Sequence, residues 1–172
     1  MKEKVSVKVW LISLAVFVIV MILSSMITQG DVTYTIVDHQ AAATAEKVDE
    51  IQIQWREGGV RTAAIIAVIG DLAWIWIYAL GAYLVGKGFA IKRHGMLRIM
   101  GWIIGVSGVV FGITDYTETI AQFIQLLQDS GDDTLAGIAA FMQPIKVTAF
   151  LVAFFGIIVA LVLDRFTGKA AR

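Results

Sequence analysis

Four ionisable side chains lie in stretches otherwise apolar enough to cross a membrane: Asp71, Asp115, Glu118 and Lys146. A charge at the centre of a membrane helix costs upward of about 2.5 kcal/mol, so such residues mark ion or substrate pathways, proton relays or a paired polar core. Carboxylates and an amine can hold a cation, pass a proton or act as acid and base. Fully ionised, three acids and one lysine would leave a net charge of −2 in low dielectric, which is untenable without compensation. Either some acids are protonated, or a cation occupies the site, or water reaches it.

The spacing places these residues on defined faces. Asp71, Trp74 and Tyr78 follow an i, i+3, i+7 stripe, and Gln143, Lys146 and Phe150 follow the same stripe further on. Gly101, Gly105, Gly108 and Gly112 run directly into Asp115, Thr119 and Gln122 along a single seam. The glycine half admits another helix at close range, and the acidic half opens where the interior is polar. Asp71, Trp74, Tyr78, Asp115, Glu118, Gln143 and Lys146 are therefore the expected ligand-binding set. Tyr116 reads as a packing residue. No catalytic residue, metal ligand or cofactor can be named from the sequence.

The elements that must carry this set are membrane helices. The 172 residues are 58% hydrophobic and 16% charged, against about 45–50% apolar and about 25% charged in a soluble domain. The excess is concentrated in four runs, Val9–Ile27, Thr62–Val85, Leu97–Leu127 and Gly137–Leu163. Each meets the roughly 20 residues needed to span the hydrocarbon core. The first run is long for a signal peptide and no small-x-small cleavage site follows it, so it is expected to be a retained span. Span three exceeds the needed length, and its last turns, with Gln122, Gln125 and Gln128, are expected to project from the bilayer. The expected fold is all-α: an up-down bundle of four transmembrane helices forming one domain over the whole chain. Pro144, the one proline, falls near the start of span four, where a proline is usually tolerated.

Basic residues set the orientation. Lys2, Lys4 and Lys8, then Lys87, Lys92, Arg93 and Arg98, then Arg165, Lys169 and Arg172 all fall on one side. The positive-inside rule makes that side cytoplasmic, giving a multi-pass inner-membrane protein with both termini in the cytoplasm. The opposite side is acidic, from Asp31 to Glu57 and again at Asp129, Asp132 and Asp133. In its long first loop, Ala41, Ala45, Val48, Ile51 and Trp55 recur at spacings of three and four. This predicts an extracytoplasmic amphipathic helix over about Asp38–Glu57, capped by Asp38 and stopped by Gly58 and Gly59. Asp71, Asp115, Glu118 and Lys146 then all fall about 10–15 Å below the outer face, counting 1.5 Å per residue. His39 and His94 have no metal-ligand partner at helical spacing and read as surface residues.

"DLAWIWIY" (Asp71 to Tyr78), "DYTET" (Asp115 to Thr119) and a lysine in the last span resemble a family of small bacterial four-helix integral membrane proteins. That family has an aspartate followed seven residues later by tyrosine in span two, Asp-x-x-Glu-Asn in span three and a lysine in span four. An amphipathic segment ending in Gly and Arg precedes span two, as "WREGGVR" does here. Thr119 stands at the asparagine position. The resemblance implies that Asp71, Tyr78, Asp115, Glu118 and Lys146 act as a set, and supplies no chemistry.

The zero net charge and the absence of a basic patch interleaved with aromatics give no sign of a nucleic-acid partner, and none is expected; the absence of cysteine excludes thiol catalysis and disulfides. The expected partners are the lipid bilayer, a small cationic or amphiphilic ligand, and a second copy or another membrane protein. The favoured expectation is an outward-facing acidic pocket that binds, and by extension transports, a cationic or amphiphilic small molecule or ion. A membrane-embedded enzyme on a lipid-like substrate is one alternative. An accessory subunit with a purely structural polar core is the other.

Overall fold

The structure, a computed structural model, describes residues 2–170 and the side chains of residues 6–166. The charges counted at Lys2, Lys4, Lys169 and Arg172 lie outside the described side chains. The described residues form six helices and no strand: α1 (Lys2–Ser25), α2 (Ile36–Gln40), α3 (Ala45–Glu57), α4 (Arg61–Lys92), α5 (Gly95–Gln128) and α6 (Asp133–Ala170). Within α1, α4, α5 and α6 lie four segments long and apolar enough to cross a membrane. The protein is an all-α helical membrane bundle. The three later helices, of 32, 34 and 38 residues, exceed the span requirement of about 20. Pro144 lies inside α6 without ending it.

The loop helix is two helices, not one. Thr35 caps α2, its hydroxyl accepting from Asp38 N while the Asp38 carboxylate accepts from Thr35 N at 2.7 Å. Asp38 is thus the third residue of a capping box rather than the cap. Ala43 then takes a left-handed backbone, φ 58°, and Thr44 restarts the helix as the cap of α3. Gly59, at φ 69°, stops α3 as expected: Val60 N donates to Trp55 O and Gly59 N to Arg56 O, the paired bonds of a Schellman ending.

Contacts among the helices group into two compact units. The first comprises residues 1–14, 76–112 and 146–172. Its α4 and α5 meet through the predicted glycine seam. A Cβ built on Gly86 would lie 2.4 Å from Gly105 N, and one on Gly101 would lie 2.3 Å from Ala90 N. Only hydrogen fits at such separations, so the seam brings backbone against backbone. Beside it, Tyr78 packs against Phe111 and Phe150, both at 4.9 Å between ring centroids. Arg93, between α4 and α5, makes a forked ion pair with Asp164 on α6, at 2.5 and 2.9 Å.

The second unit comprises residues 15–75 and 113–145. Val48, Ile51 and Trp55 on α3 are fully buried and join Ile27, Val60, Ala64, Val68, Leu126 and Ala136 in one apolar cluster. Each large side chain so buried contributes about 1.5–3 kcal/mol. Ala41, which precedes the break at Ala43, and Ala45, the first residue of α3, stay outside this core. Polar contacts fix α3 to the α5–α6 turn: Asp49 accepts from Gly131 N at 2.6 Å, Asp133 accepts from Ala45 N at 2.7 Å, and Arg56 meets Asp129 at 2.5 Å.

Candidate functional site

A membrane helix with aligned acids buries them only if another helix covers that face. On α5, Asp115, Glu118, Thr119, Gln122 and Gln125 are all at most 1% exposed. They form a polar stripe of three turns, since residues three and four apart share a face. Two of the five are carboxylates one turn apart. Gln122 Nε2 donates to Glu118 Oε1 at 3.1 Å. Gln125 donates to Ala121 O and accepts from Asp132 N at 3.0 Å. The Thr119 hydroxyl oxygen, equally buried, has no hydrogen-bond partner among the described residues. Gln122 and Gln125 therefore point into protein, and of the three glutamines at this end of α5 only Gln128 is exposed.

The neighbouring elements are held at this level by specific contacts. Tyr116 OH donates to Leu72 O at 3.0 Å, tying α5 to α4 one residue beyond Asp115 and one beyond Asp71. Trp74, 5% exposed, packs on Phe17 of α1 with ring centroids 4.8 Å apart. Arg61 donates to Leu126 O at 2.7 Å.

The sequence-derived set is divided by the units. Asp71, Trp74, Asp115, Glu118 and Gln143 belong to the second, Tyr78 and Lys146 to the first. Asp71 and Gln143 are half-buried. Lys146 is buried, 9% exposed. Tyr78 is fully buried, and its hydroxyl donates to Phe150 O at 3.1 Å.

In the α2–α3 segment the sequence reading misplaced His39 and passed over Lys47. His39 is not at the surface: it is 2% exposed, stacked on Trp55 at 5.1 Å and 3.3 Å from Gln52 Nε2. Burial pushes its imidazole down to about 4. The contact was not readable from periodicity, because His39 and Trp55 lie on separate helices. The Lys47 ammonium is raised by its hydrogen bonds to Glu50 and Tyr34, and Glu50 is correspondingly lowered, first by Lys47.

An open cleft on α3, lined by Glu46, Asp49, Glu50 and Asp133, has most of its acids engaged. Asp49 and Asp133 bind backbone amides, and Glu50 pairs with Lys47 at 2.7 Å. Among the described residues no three His, Cys, Asp or Glu side chains converge to hold a metal ion. The arrangement on α5 is thus that of a helical membrane protein with two carboxylates and three neutral oxygen-bearing side chains buried in one span. No protein-family model, curated protein or solved structure matches the chain.

Proposed function

We propose that the chain is a multi-pass inner-membrane protein, with both termini in the cytoplasm, that binds a small cation at Asp115 and Glu118. The single observation that carries this reading is the burial of both carboxylates, at 1% and 0% exposure, one turn apart on a membrane-spanning helix. Taking a carboxylate out of water costs several kcal/mol, so positive charge accompanies these two, from a cationic side chain or from a ligand. A proton can supply it; so can a monovalent cation or the ammonium head of an amphiphile, with the hydroxyl of Thr119 and the amides of Gln122 and Gln125 at hand on the same face as neutral ligands. A cation that enters releases the carboxyl proton to water, and this exchange is what would couple binding to transport.

A second reading is favoured by one observation. The hydrogen bond from Tyr116 on α5 to Leu72 on α4 would also fix helix register, as the polar core of an accessory subunit requires.

The test is thermal unfolding of the purified chain in detergent with sodium, potassium or dodecyltrimethylammonium. A bound cation at about 100 times its Kd stabilises by about 2.7 kcal/mol. Wild-type protein should melt higher with at least one probe, and Asp115→Asn and Glu118→Gln should remove the shift. If no probe moves the wild type relative to both variants, the structural reading stands instead.

A further inference from the structure

Gly88 lies inside α4, where glycine weakens a helix relative to alanine. The glycines of the seam repay that weakness by close packing, since a Cβ on Gly86 or Gly101 would strike backbone. At Gly88 a Cβ would meet nothing within 4 Å. The space it faces is a cleft of about 450 Å³ lined by Ser6 and Val7 of α1, by Leu84, Val85, Lys87, Phe89, Ile91 and Lys92 of α4, and by Leu161 of α6. All of these belong to the first unit. The walls are largely aliphatic and aromatic, and the rim carries Lys87 and Lys92, both exposed. Lys87 reaches over the Tyr83 ring at 5.7 Å.

We infer that this cleft binds an anionic phospholipid, with the phosphate at Lys87 and Lys92 and an acyl chain along Val7, Leu84, Val85 and Leu161. Charge complementarity selects the head group: lysines beside a membrane helix attract anionic lipid, and a basic cleft between spans is the form such sites take. Apolar walls select a chain-bearing ligand over a free anion. The missing side chain at Gly88 supplies room that the packing of α4 does not otherwise use. This site is separate from the acids on α5 and stands or falls independently of them.

Native mass spectrometry of the full chain in detergent tests the inference, with phosphatidylglycerol and phosphatidylcholine of matched acyl chains as probes. Phosphatidylglycerol should be retained over phosphatidylcholine by roughly 30-fold, about fivefold from each lysine. The double variant Lys87→Gln, Lys92→Gln should bring the two lipids level. Gly88→Leu, which fills the cleft and leaves both lysines, should reduce retention of phosphatidylglycerol as strongly. Equal retention of the two lipids by wild-type protein would overturn the inference, as would full retention by Gly88→Leu. Displacement of the lipid by inorganic phosphate at equal concentration would make this an anion site and overturn it too.

Discussion

At the residue scale, what distinguishes Glu118 is that its neighbour can be kept while its charge is removed. Glu118→Gln preserves an oxygen for the Gln122 amide, 3.1 Å away, and abolishes the need for a counter-charge. Without added cation the variant should lose about 1 kcal/mol, the difference between a hydrogen bond to a charged acceptor and one to a neutral acceptor. Denaturant unfolding in detergent reads this directly. His39 makes a separate prediction. Its folded value near 4 lies below the ordinary 6.5, so between those values the unfolded chain binds the extra proton. Stability is full above pH 6.5 and falls as pH drops toward 4, by roughly 3 kcal/mol. His39→Phe, which keeps a ring on Trp55, should flatten the unfolding profile over that window.

At the scale of elements, the glycines of α4 separate two kinds of position. Gly86→Ala places a methyl 2.4 Å from the Gly105 backbone and should cost about 1–3 kcal/mol through forced separation of α4 and α5. Gly88→Ala meets no atom and should gain up to about 1 kcal/mol from helix propensity. Thermal melts of the two variants in parallel give the comparison. Thr44→Ala should cost about 1 kcal/mol, since its hydroxyl caps α3 at Lys47 N.

Much of this was legible in the sequence. The runs of apolar residues marked four spans because no shorter element could bury them, and the Gly101–Gly112 spacing marked the seam because only small residues recur there. The break between α2 and α3 was not legible: alanines at 41–43 carry no turn signal, and Ala43 enters the left-handed region only because Thr35 and Thr44 cap helices on either side. The acids were found because charge in an apolar run is conspicuous. The burial of Gln122 and Gln125 was not legible, because it depends on tertiary cover that periodicity does not reveal. Lys87 and Lys92 were legible as topology signals, while the cleft between them depends on how α1 and α6 approach α4.

At the scale of the whole molecule, the absence of cysteine makes orientation directly measurable. Single cysteines at Ser130 and at His94, in sealed right-side-out vesicles, should react oppositely with an impermeant maleimide: Ser130→Cys labelled, His94→Cys protected until the membrane is opened. Equal labelling of both would contradict the proposed topology. The proposed function predicts more than orientation. A pair of acids that trades a proton for a cation must change protonation when the cation arrives. Infrared difference spectroscopy at constant pH, with sodium, potassium or dodecyltrimethylammonium added, is the most direct measurement of that exchange. The expected result is loss of a carboxylic-acid band and gain of a carboxylate band in wild-type protein, absent from Asp115→Asn and Glu118→Gln. A spectrum that no cation alters, or that alters equally in the variants, would contradict it.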